Sequence, residues 1–140
     1  MASHIPAIEE LKRRYPTAET TGFGDSAELS EQLIALIRSG SKVATCGALR
    51  DYDAGEPRPE TGRRDIVLDW SGAPALILQT IEVVQCRFCD ITEEMALAEG
   101  EDDDLSGWRT GHQAFFERNG GFSLDMELLW ERFVMIEDLR

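Results

Sequence analysis

The stretch from residue 66 to residue 84 leaves this chain the fewest choices. Two apolar runs, 66–70 and 73–84, are joined through Ser71 and Gly72. Their β-branched content favours extended backbone, and a short Ser-Gly joint between two such runs marks a hairpin. That hairpin is expected at the centre of a sheet. What surrounds it must supply edges and cover.

On the N-terminal side, Asp25 or Ser26 can cap a helix over about 26–39, with Leu29, Leu33, Ile34, Leu36 and Ile37 in one stripe and Gly40 as a left-handed stop. A short strand follows over 43–49. Residues 51–62 carry Gly55, Pro57, Pro59 and Gly62 and read as a loop long enough to cover something. Beyond the hairpin, Thr92 with Glu93 and Glu94 in the first turn caps a helix running to about Glu99. Leu105, Trp108, His112, Phe115 and Phe116 recur at helical spacing and predict a second helix, ending near Asn119 and Gly120. In the last segment, Leu129, Glu131, Phe133 and Met135 alternate with Trp130, Arg132, Val134 and Ile136, which favours a closing strand. The order predicts an α+β fold, a small and mostly antiparallel β-barrel flanked by helices. Residues 1–22, with Pro6, Pro16 and a short amphipathic piece at 8–15, read as an N-terminal arm, and 23–140 as one domain.

Charge narrows the partners. With 14 Lys and Arg against 27 Asp and Glu, the formal net charge is -13, which repels polyphosphate because nucleic-acid affinity rests on neutralised phosphates. No DNA partner is expected. Yet Lys42, Arg50, Arg58, Arg63, Arg64 and Arg87 all fall mid-chain, so a local basic groove survives on an acidic body. No apolar run approaches the ~18 residues of a membrane span, and the first residues lack a secretory core, so a cytoplasmic location is expected. The odd count of 3 cysteines suits a reducing compartment.

Four features invite chemistry. Cys86 and Cys89 form a CxxC that, with Cys46 and His112, would offer four zinc ligands. Structural zinc sites usually carry a second paired knuckle, which is missing, so these read as buried or edge thiols and no metal or cofactor is expected. His112 shares a face with Trp108, Phe115 and Phe116 and reads as a packing or hydrogen-bonding residue rather than a base. The acids Glu99 and Glu101 to Asp104 are by default a solvated loop, although one carboxylate can face a pocket. Lys42 and Thr45 are the sharpest pair. A desolvated lysine can lose its proton and activate a threonine hydroxyl, but residues three apart on a strand face opposite sides, so the two converge only if Lys42 precedes the strand. The plain alternative is a solvated lysine beside a strand threonine.

Taken as a set, "FGDS" at 23–26, "SGSKVAT" at 39–45, "AEGEDD" at 98–103 and "WRTGHQAFF" at 108–116 resemble the ASCH domain family, over about residues 23–136. The resemblance implies a PUA-like fold whose cleft takes RNA or a modified nucleoside. Some relatives are acetylcytidine amidohydrolases with a lysine, threonine and glutamate triad, and others have been described as ribonucleases. By motif position Lys42, Thr45 and Glu99 match that triad, with Glu101 as the alternative acid. Under this carry-over Thr45 attacks the amide carbonyl, Lys42 takes its proton, and Glu99 manages the proton of the leaving amine. Arg50, Arg63 and Arg64, with Glu101, are the candidate substrate-binding residues. Val43 and Cys46 depart from the common pattern, and the block at 108–116 is absent from the compact amidohydrolases, which points to a longer branch. The same cleft also suits a metal-independent ribonuclease or a non-enzymatic RNA-binding module.

Overall fold

The structure is a computed structural model and describes residues 6–140. Its frame is one five-stranded mixed sheet in the order β1-β3-β4-β5-β2, curled into a half-barrel with five helices around it. In chain order these are α1 (Ile8–Arg14), β1 (Glu19–Thr21), α2 (Ala27–Arg38), β2 (Ala44–Ala48), α3 (Leu49–Asp53), β3 (Arg64–Leu68), β4 (Pro74–Arg87), α4 (Glu93–Ala98), α5 (Leu105–Arg118) and β5 (Glu127–Asp138). The expected hairpin is β3–β4, and it stands inside the sheet with β1 on one side and β5 on the other. Register shifts between Ile77 and Leu78 and between Thr80 and Glu82 interrupt the long β4–β5 ladder. Such irregularities bend a sheet, and here they accompany its curl.

Both faces are covered. Ile34 and Ile37 of α2 pack with Val67, Leu76, Leu78 and Phe133. Leu11 of α1 packs with Ile66, Ile77 and Leu139. A third cluster joins Ala44, Ala48, Leu128 and Trp130 of the sheet to Phe88, Ile91, Trp108 and Phe116 beneath α4 and α5. Each fully buried aliphatic or aromatic side chain contributes about 1.5–3 kcal/mol, so these clusters and not helix propensity hold the short elements in place.

The caps fall where the residue types demand. Ser26 Oγ accepts from Leu29 N, Thr92 Oγ1 from Met95 N and Asp104 Oδ1 from Gly107 N. Two segments depart from the sequence reading. Residues 8–21, read as part of an arm, supply α1 and β1, and β1 pairs in parallel with β3 because Leu11 and Ala18 have apolar surface to bury. Residues 51–53, read as the start of a loop, belong to α3, which Ala54 and Gly55 close through bonds to Arg50 O and Tyr52 O.

Candidate functional site

Helix α2 ends on Gly40, whose φ of 85° is left-handed, and Ser41 N and Lys42 N both turn back to Leu36 O. This tight stop puts Lys42 ahead of β2 rather than on it. Val43 N then bonds Ala98 O, so the end of α4 lies directly against the entrance of β2. Gly100 makes that approach possible. A Cβ there would sit 2.1 Å from Ser41 O, and its φ of 72° suits glycine. The consequence is that Glu99 and Glu101 flank Lys42.

Lys42 is 1% exposed and donates to Ala44 O at 2.8 Å, Glu101 Oε2 at 2.8 Å and Glu99 O at 3.3 Å, with Glu99 Oε1 at 3.8 Å. Three acceptors meet three ammonium protons. Among the described residues no hydrogen bond joins Lys42 to Thr45, so the direct lysine-to-threonine proton path expected from the motif is not formed here. Glu99, also 1% exposed, is bonded by His112 Nε2 at 3.0 Å. Burial alone would push its carboxyl up, but the His112 bond and the Lys42 charge hold it below the usual range. His112 moves the other way. Burial would lower it, yet the bond and charge of Glu99 raise it above an ordinary histidine. Its Nδ1 lies 2.9 Å from Trp108 O and its ring stacks on Trp108 at 4.1 Å, so both nitrogens face acceptors, an arrangement that favours the imidazolium.

These groups border a cleft of about 730 Å³ set between α2, α5, β2 and the loop after α3. Thr45, Cys46, Glu99, Glu101 and His112 line it. So do Asp65, Arg63, Tyr52 and Glu131, which form a second wall. Glu131, 8% exposed, is paired in register with Thr45 across β2 and β5, which places both side chains on one face of the sheet. Burial and the neighbouring Asp65 push its carboxyl up to about 7, against Arg63 and a 3.4 Å bond from Thr80 Oγ1. Asp65 is raised too, by burial, although Arg63 lies 3.0 Å away. Tyr52 is raised by burial and by Glu131, and its hydroxyl packs so close to Gly47 that any side chain there would collide with it.

The basic residues are distributed otherwise than expected. Arg63 reaches the cleft but spends its guanidinium on Pro57 O, Arg58 O and Asp65. Arg50 is not in the cleft, because it holds the carbonyls of Asn119 and Gly121. Arg64 bonds Gln79 and stacks on Tyr15, also away from the cleft. With Glu19, Asp51, Glu56 and Asp102 added to the lining, the cleft is acidic, and no local basic groove forms in it.

Cys46, Glu99 and His112 bring ligand atoms within 4.8 Å of one another, the one such grouping of metal-ligating types among the described residues. Its charges are already matched by Lys42 and by the His112 protons, so it reads as a hydrogen-bonded network. Burial, with Glu99 beside it, pushes the Cys46 thiol up and away from the thiolate a metal would need. Cys86 and Cys89 take no part in that grouping. No helix among the described residues is long and apolar enough to cross a membrane.

Nothing in the motif spacing singles out Glu131, Asp65 or Tyr52, whereas His112 is hydrogen-bonded as its reading allows. A signal of another kind was present for the first. Glu131 shares its alternating face with Leu129 and Phe133, both buried, and a carboxylate in such a row is out of place unless it has work to do.

The family model described as the ASCH domain matches residues 19–137. The crystal structure of an ASCH domain from Lactobacillus crispatus superposes with a TM-score of 0.79 at 29% identity, covering 92% of this chain and 86% of that one. A protein from Enterococcus faecalis, also known by crystal structure, gives a TM-score of 0.79 at 30% identity over 94% of this chain and 85% of that one. No match to a curated protein was found.

Proposed function

The chain belongs to the ASCH domain family, and on that premise we propose that its cleft binds an uncharged modified nucleoside, most concretely an N-acylated cytidine, and hydrolyses the exocyclic amide. The family is associated with RNA binding or processing. Within that range, the observation carrying this reading is that Thr45 lines one cleft with Glu99, Glu101 and His112 of a buried ionic network, and that the cleft's other walls are acidic. Phosphate is repelled from such walls, whereas a nucleoside brings only hydrogen-bonding edges and an apolar ring. Two of the three arginines that phosphate contacts would need are engaged elsewhere, which weighs against cleavage or binding of a polyanion.

In this reading Thr45 is the nucleophile toward the acyl carbonyl. Lys42, fixed by Glu101 and by the carbonyls of Ala44 and Glu99, contributes positive potential where the oxyanion develops. Glu99 acts on the leaving amine, handing on the proton it draws from His112 Nε2 across their 3.0 Å bond. Incubation with N4-acetylcytidine, followed by chromatography for cytidine, tests it. Turnover abolished by Thr45→Ala is expected. Absence of turnover, or turnover indifferent to Thr45→Ala and Lys42→Ala, overturns it.

A further inference from the structure

We propose that Glu131, and not Lys42, is the base that takes the proton of Thr45. The inference deepens the nucleoside-amidase reading and rests on it for the identity of the substrate. Geometry carries the argument. An amine can accept a proton only through a free lone pair, and Lys42 Nζ is surrounded by three acceptors at 2.8, 2.8 and 3.3 Å, two of which are backbone carbonyls that cannot move away without unmaking the strand entrance. Directly opposite Thr45 in the β2–β5 register stands Glu131, on the same face and in the same cleft. Side chains so paired have Cβ atoms about 4.5–5.5 Å apart, a span that a glutamate and a threonine bridge by ordinary rotamers.

The surroundings suit a base. Facing Glu131 are Asp65 and Arg63 from β3 and its approach, Thr80 from β4, Tyr52 from α3 and Lys42 from the turn ahead of β2. Burial and the Asp65 charge raise it into the neutral range, where a carboxylate is basic enough to accept a hydroxyl proton and still ionised in half or more of the molecules above pH 7. The steps balance. As Thr45 Oγ1 bonds to the acyl carbon, its proton passes to the Glu131 carboxylate. When the carbon–nitrogen bond breaks, the departing amine takes a proton from Glu99, which receives it from His112 Nε2 across their 3.0 Å bond, leaving neutral His112 and an acyl-threonine ester. Water then attacks the ester and returns a proton through Glu99 to His112, and the Glu131 carboxyl returns its proton to the Thr45 oxygen. The products are the free amine and a carboxylic acid, and each residue ends as it began.

Two measurements decide the matter. Initial rates on N4-acetylcytidine across pH 5–9 are expected to show an acid limb near 7 that shifts to lower pH in Asp65→Asn. In Glu131→Gln, kcat is expected to fall by about 10²–10⁴ with KM little changed and the limb lost. Independently of any nucleoside, labelling of Thr45 by a phosphonofluoridate, read by mass spectrometry, should accelerate through the same limb and vanish in Glu131→Gln, a variant that thermal denaturation will show to be folded. Glu131-dependent labelling without turnover of the nucleoside would keep the base assignment and discard the substrate. Turnover or labelling in Glu131→Gln within tenfold of the parent, or a failure of the parent to label at all, overturns the base assignment.

Discussion

The two walls of the cleft bury carboxylates at similar depth and treat them in opposite ways. On the α4–α5 side, Glu99 has His112 at 3.0 Å and Lys42 at 3.8 Å, and its carboxyl is held below the usual range although it is 1% exposed. On the β3–β5 side, Glu131 has a threonine hydroxyl at 3.4 Å and another acid for a neighbour, and is raised to about 7. Both sites lose solvation on folding. Only the first recovers it through opposite charge and hydrogen bonds, so depth of burial does not decide a carboxylate's state; the balance of its partners does. The first wall is built to stay charged, and the second to change charge near neutrality.

The comparison breaks most visibly if the first wall loses its cation. Lys42→Met keeps most of the length of the side chain and removes the ammonium, leaving Glu99 and Glu101 against each other at the entrance of β2. A loss of about 3–5 kcal/mol is expected, measured by urea denaturation at pH 7. A change below about 1 kcal/mol would mean that the pair is no more than a surface contact.

The second wall should answer in the opposite direction. Because the folded-state value of Glu131 is raised above its ordinary 4.5, the stability tied to its proton is fully present below pH 4.5 and is lost as pH rises through about 7. Glu131→Gln removes a group that resists ionising. It should therefore raise stability at pH 8 by about 3 kcal/mol and leave it nearly unchanged at pH 4. Activity and stability would then part company at one residue. Equal effects at both pH values would mean that shape, and not ionisation, is what the substitution alters.

Much of the frame was legible in the chain. The hairpin, the caps at Ser26 and Thr92, the glycine stop of α2 and the closing strand all follow from local chemistry that the fold does not override. The convergence of Lys42 with Glu99 and Glu101 came from motif resemblance, since no spacing rule brings residues 42 and 99 together. Arg50 and Arg64 were misplaced because a basic residue in sequence carries no record of which carbonyl or ring claims it. Glu131 was visible in its alternating row, but β5 is apolar on both faces near its start, which hides which face a lone acid occupies.

Gly100 tests the backbone that sets the first wall. Alanine there would bring Cβ against Ser41 O and Lys42 N, and both are main-chain atoms that cannot yield as a side chain would. Destabilisation of about 2 kcal/mol is expected from strain at a left-handed position, with more if the loop is displaced. The sharper readout is His112, whose imidazole resonances should shift toward an ordinary titration once Glu99 is drawn off.

The smallest effect discriminates best. His112 and Glu131 are both raised, so each makes the protein less stable as pH rises, and the pH slope alone cannot tell the walls apart. Substitution can, because the causes differ. For His112 the protonated form is the one the fold binds, through Glu99 and the Trp108 carbonyl. Its stabilisation is complete below the ordinary 6.5 and disappears as pH passes the raised folded value. His112→Gln retains one donor toward Glu99 without the charge, so it should cost about 1 kcal/mol at pH 5.5 and progressively less toward pH 9. The Gln variants at 112 and 131 would thus flatten the same slope from opposite ends, one by lowering the acid side and the other by lifting the alkaline side. If His112→Gln instead lifted the alkaline side, Glu99 would be as poorly compensated as Glu131, and the cleft would have one kind of wall.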